Sequence, residues 1–119
     1  MIYMCYDNYM HLNELKLVRM TKAINTLIEN ISQRRFPVEK IILFGSTARD
    51  ELNEYSDLDI CILNEDELTM RQTREIEQYF YDTLQDEMPV NFIYCNHETL
   101  MNGKYVFESI RKEGLILYA

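Results

Sequence analysis

The chain has only 3 glycines, 2 prolines and no tryptophan among its 119 residues. That scarcity excludes a collagen-like, linker-rich or low-complexity protein. Basic residues are also few: 12 Lys and Arg stand against 20 Asp and Glu, for a formal net charge of -8. Such a chain repels polyanions as a whole, so direct binding of DNA or RNA is not expected. A small phosphorylated ligand can still bind where metal ions and backbone amides override the general field. The three cysteines, Cys5, Cys61 and Cys95, form no CxxC pair, and two lie inside apolar runs, which reads as buried free thiols in a reducing cytosol. The amino terminus shows no basic region followed by an apolar stretch, and no apolar run approaches the roughly 18 residues of a membrane span. A soluble, cytoplasmic protein without a membrane segment is expected.

What is present is the balance of a folded domain: 47% hydrophobic and 27% charged residues. At 14.3 kDa the chain has room for one domain, residues 1–119, with its own core, so an acceptor substrate would be held largely by something else. Within it, Tyr3, Tyr6 and Tyr9 recur with Met1, Met4 and Met10 at a spacing of three. Residues 1–12 therefore read as a strip packed on the body, as a partner-docking segment or as a flexible one. From Asn13, a cap, to about Arg34 the apolar positions Leu17, Met20, Ile24, Leu27, Ile28 and Ile31 keep a 3.6-residue period, which predicts a long amphipathic helix. Phe36-Pro37 ends it, and the continuous apolar run in Val38 to Phe44 predicts a strand buried on both faces. A second strand is expected over Asp57 to Leu63, a turn over Asn64 to Glu67 and a surface helix from Leu68 to about Gln85 on Ile76, Phe80 and Leu84. A third strand follows over Val90 to Cys95, then a last helix from about Glu98 to Lys112 with Leu100, Val106, Phe107 and Ile110 inward, stopped by Gly114 before the apolar LILY ending.

The chemistry is concentrated in Gly45-Ser46, ten intervening residues, and Asp57-Leu58-Asp59. Residues two apart on a strand point to the same face, so Asp57 and Asp59 present two carboxylates side by side. Oxygen ligands of this kind suit Mg²⁺, which is usually held by one or two carboxylates plus substrate phosphate oxygens. A bare DxD is as easily a solvated strand end. Gly45-Ser46 alone reads as a turn and helix cap, but after a buried strand a glycine lets phosphate approach the backbone, and helix-start amides with a serine hydroxyl can hold it. At average residue frequencies the four positions together arise by chance in roughly one chain in several hundred.

This pattern, within FGSTARDELNEYSDLDICIL, resembles the minimal nucleotidyltransferase family of the DNA polymerase β superfamily, whose signature is GS, ten residues and DxD. The likeness runs through the leading helix, the LFGS strand, Ala48-Arg49 after the serine, Ser56 before the first aspartate and the ending from Ile110 to Tyr118. The resemblance implies an α+β (α/β) fold, a small mixed sheet of about three to four strands flanked by helices. It also implies two Mg²⁺ ions and transfer of a nucleoside monophosphate from a triphosphate such as ATP to a hydroxyl. By position, Asp57 and Asp59 would be the metal-binding and catalytic carboxylates, and Gly45 and Ser46 would hold the triphosphate. Arg49 would contact phosphate, though it reads equally as a solvated surface arginine.

One departure bears on activity. The family usually carries a third carboxylate on the next strand, and the matching segment here is Val90-Asn91-Phe92-Ile93. Asn91 at this catalytic position can ligate Mg²⁺ through its carbonyl but has no charge and cannot act as a general base near neutral pH. Asp86, Glu87 and Glu98 are near in sequence and are the candidates to replace it. His11 and His97 lack ligand-spaced partners, and no Ser or Cys nucleophile has a recognisable base. Nine tyrosines fit an interface as well as core edges.

Small members of the family commonly sit beside a HEPN-domain ribonuclease as its antitoxin. The resemblance therefore implies AMP transfer from ATP to a tyrosine hydroxyl of a HEPN toxin within a hetero-oligomer. The alternative, favoured by Asn91, is an antitoxin that neutralises by contact alone. Nucleotidylation of a small molecule fits less well, since no second domain is left to form an acceptor pocket.

Overall fold

The computed structural model describes residues 14–45, 57–84 and 89–119. The elements are α1 (Glu14–Arg34), β1 (Val38–Phe44), β2 (Leu58–Asn64), α2 (Met70–Leu84), β3 (Val90–Cys95), α3 (His97–Asn102), α4 (Val106–Glu113) and β4 (Leu115–Tyr118). The strands form one sheet in the order β3-β2-β1-β4. β1 pairs antiparallel with both β2 and β4, whereas β2 and β3, joined through α2, are parallel. This is the small mixed sheet flanked by helices that the resemblance implied.

Alternation along the strands sends their apolar residues to two cores, one on each face of the sheet. Ile41 and Leu43 of β1 and Leu58, Ile60 and Ile62 of β2 pack with Ala23, Ile24, Leu27 and Ile31 of α1 and with Ile76 and Phe80 of α2. On the opposite face Ile42, Phe44, Cys61, Leu63 and Cys95 pack with Leu100 of α3 and Ile110 of α4. The central strands are therefore buried on both sides, as the unbroken apolar run in β1 requires. Phe80 meets Phe92 edge to face, with ring centroids 5.2 Å apart, and fixes α2 over β3. On the surface, Arg34 at the end of α1 donates to Glu75 of α2.

The helix boundaries follow from caps. Arg35 takes φ 54 just after α1, and Phe36-Pro37 then turns the chain into β1. α2 begins at Met70 rather than Leu68, because Thr69 and Gln72 form a reciprocal cap: Gln72 N–H donates to Thr69 Oγ1 at 3.1 Å and Thr69 N–H to Gln72 Oε1 at 2.9 Å. The expected last helix is two. Asn96 caps α3 by accepting from Thr99 N–H at 2.8 Å, and Gly103 closes it by donating to the Thr99 carbonyl at 2.7 Å. Tyr105, at φ 59, then redirects the chain into α4. Arg111 of α4 donates to the carbonyls of Leu100 and Gly103 at 2.6 and 2.8 Å, satisfying the end of α3. The LILY ending is a fourth strand, β4, at the sheet edge beside β1.

Candidate functional site

The site forms where β1 ends and where β2 and β3 begin. Phe44, the last residue of β1, pairs with Asp59, and Gly45 follows. On the other side of β2, Asp59 lies opposite Asn91 in the parallel register. The Leu58 amide donates to the Pro89 carbonyl at 2.8 Å, which ties the start of β3 to this end of β2. Asp59 shares its face of the sheet with Cys61 and Leu63, and Asn91 shares its face with Ile93 and Cys95. All four of those residues belong to the α3–α4 core, so the polar cluster continues that face beyond the apolar packing.

Asn91 bridges the two carboxylates. Its Nδ2 donates to Asp59 Oδ1 at 3.1 Å and to Asp57 Oδ2 at 3.3 Å. Asp57 and Asn91 are exposed and Asp59 is half-buried, so the cluster opens to solvent. Gly45 sits against it at φ +74, and a Cβ built there would stand 2.1 Å from Asp59 Oδ2. Glycine at position 45 therefore leaves the space in which the Asp59 carboxylate lies, besides permitting the left-handed backbone. The sequence pattern suggests a turn, a cap or phosphate approach at Gly45, and not this accommodation of a carboxylate.

These residues fit a hard divalent cation. Two convergent carboxylates and a side-chain amide oxygen, available if the amide turns over, are the donor set Mg²⁺ accepts. Among the described residues no group of three His, Cys, Asp or Glu is disposed to hold a metal, because here the third member is an amide. Gly45, Asp57, Asp59 and Asn91 are thus brought together, while Ser46 and Arg49 lie outside the described residues. Asp86 and Glu87 lie outside them as well. Glu98, in the first turn of α3, follows the far end of β3 and does not join the cluster. His97 is exposed at that same far end, and His11 is outside the described residues.

A cavity of about 510 Å³ opens at the opposite end of β2, lined by Asn64, Glu65, Asp66, Glu67 and Tyr94 among others. Its acidic rim is unsuited to a triphosphate. Behind the site, Cys61 and Cys95 are buried with their sulfurs 3.6 Å apart, and burial pushes both thiols above their ordinary range. They are therefore protonated and unreactive near neutral pH. Burial and the neighbouring Glu77 carboxylate, which accepts from its hydroxyl at 3.0 Å, likewise raise Tyr94.

A glycine after a buried strand thus stands beside a carboxylate pair at the start of the next one. Residues 25–117 match the nucleotidyltransferase domain family, and the chain belongs to that family of enzymes. Two proteins of Methanocaldococcus jannaschii that carry the provisional name protein adenylyltransferase are similar to it. One is 33% identical over 68% of this chain and 78% of the relative, and the other is 30% identical over 83% and 96%. Among solved structures, a toxin–antitoxin complex with AMP-PNP superposes with a TM-score of 0.59 at 23% identity, covering 81% of this chain and 73% of that one. A complex of tri-AMPylated Shewanella oneidensis HEPN toxin with its MNT antitoxin gives 0.53 at 21% identity, covering 82% and 70%. At these identities the two structures establish the shared fold. No described helix is long and apolar enough to cross a membrane.

Proposed function

We propose that this chain is a nucleotidyltransferase antitoxin that moves AMP from ATP to a tyrosine hydroxyl of a HEPN-domain toxin and thereby silences it. The observation that carries the reading is the convergence of Asp57 and Asp59 beside Gly45 within a nucleotidyltransferase domain. The provisional names of the relatives and the AMPylated HEPN toxin in a similar complex support protein as the acceptor. In this reading Asp57 and Asp59 hold Mg²⁺, Gly45 and Ser46 receive the triphosphate, and Arg49 contacts a phosphate. Mg²⁺ would neutralise charge on the phosphates and on the leaving pyrophosphate. The chain's own contribution is to orient: Asp57 and Asp59 would hold the cation that aligns the α-phosphate for in-line attack, and the turn at Gly45 would bring the end of β1 close to the phosphates. The Asn91 amide takes up no proton near neutral pH, so the tyrosine proton must leave to another acceptor.

Asn91 also favours a second reading, an antitoxin that neutralises its partner by contact. The two are separated by Asp57→Asn and Asp59→Asn. Enzymatic silencing predicts that each variant loses both AMP transfer and protection of cells expressing the toxin. Full protection without transfer would establish the contact mechanism instead.

A further inference from the structure

We infer that Asn91 is a positioning residue, an uncharged clamp that holds Asp57 and Asp59 converged without a cation and makes cation uptake depend on the triphosphate. The inference rests on the proposal that these carboxylates form the cation site. Carboxylate oxygens accept hydrogen bonds, so the facing amide presents its Nδ2, at 3.3 Å from Asp57 and 3.1 Å from Asp59. Two N–H groups directed at two carboxylates offset their mutual repulsion. A cation entering between the carboxylates must displace those hydrogens, either by turning the amide so that Oδ1 faces inward or by moving the side chain away. The backbone does not bend aside easily, because the Asp59–Asn91 register is set within the parallel β2/β3 pairing. With two carboxylates and an amide rather than three carboxylates among the described residues of the site, and a competing donor in place, phosphate oxygens supply further attraction. The cation then arrives with the nucleotide rather than ahead of it.

The test is Mn²⁺ titration followed by water-proton relaxation, with and without a non-hydrolysable α,β-methylene ATP analogue, together with Tm in chelator. Wild type should bind Mn²⁺ weakly alone and at least about tenfold more tightly with the analogue. Asn91→Ala removes the competing donor: Mn²⁺ alone should bind about three- to tenfold more tightly, while the cation-free Tm falls by about 3 °C. Asn91→Asp should bind Mn²⁺ alone more than about tenfold more tightly, because it adds a third charge. Weaker Mn²⁺ binding by Asn91→Ala would show that Asn91 is a ligand rather than a competitor, and an unchanged cation-free Tm would show that it holds nothing. Either result overturns the clamp. The underlying site reading fails in a different way: Asp59→Asn would then take up Mn²⁺ with the analogue as well as wild type does, and the clamp proposal would fall with it.

Discussion

Gly45→Ala tests whether the glycine serves the carboxylate site, and both its costs can be worked from geometry. At φ +74 an alanine enters the left-handed region, which costs about 1 kcal/mol or slightly more. Its Cβ would also lie 2.1 Å from Asp59 Oδ2, well inside contact distance, so the Asp59 carboxylate must shift from its place beside Gly45. The combined loss is about 1–2 kcal/mol, a fall in Tm of about 4–8 °C for a domain of this size. A carboxylate moved by about 1 Å should lower AMP transfer about a hundredfold. Gly103→Ala supplies the control. Its Cβ would meet Phe107 Cδ2 and the Thr99 carbonyl, each at 2.5 Å, between α3 and α4 and away from the site. It should lower Tm without changing transfer per folded molecule. Assays at a temperature where both variants are folded separate the effects. Full transfer by Gly45→Ala would refute the reasoning, and so would equal losses of transfer in the two variants.

Two further outcomes concern the scaffold. Phe80 is fully buried between α1, α2 and β3, so Phe80→Ala should cost about 3–5 kcal/mol in urea unfolding, and a loss below about 1 kcal/mol would contradict its place in the core. Alkaline pH should destabilise the chain. Burial raises the Cys61 and Cys95 thiols above their ordinary 9.0, so above that pH the folded chain keeps protons the unfolded chain has released. Stability held below pH 9 therefore declines as pH rises beyond it, with Tyr94 adding to the decline above its ordinary 10.0. Thermal unfolding between about pH 7 and 10.5 reads the slope, which Cys61→Ala should reduce; an unchanged slope in that variant would exclude the thiol as its source.

How much was legible depends on the range of the interaction involved. β1 and β3 occupy the spans their apolar runs predict, and β2 is displaced by one residue. Asp57 and Asp59 sharing a face follows from strand alternation alone, and the resemblance identified Asn91 as the residue in place of a third carboxylate. The start of α2 was also written in the sequence, as the T-x-x-Q cap of Thr69 and Gln72, but periodicity masked it. The break between α3 and α4 was less accessible, since Leu100, Val106, Phe107 and Ile110 do share one apolar face and the kink depends on Tyr105 at φ 59. β4 is a strand because β1 offers it an edge, which no local pattern states. The role of Gly45 was illegible for the same reason: the carboxylate it accommodates belongs to a strand fourteen positions later.

The intact mass of a HEPN-domain toxin co-expressed as the proposed partner and incubated with this protein, ATP and Mg²⁺ tests the central claim most directly. The account predicts a gain of one or more AMP units, lost with Asp57→Asn or Asp59→Asn. An unmodified partner held in a stable complex would contradict enzymatic silencing and leave the nucleotidyltransferase fold acting here as a binding scaffold.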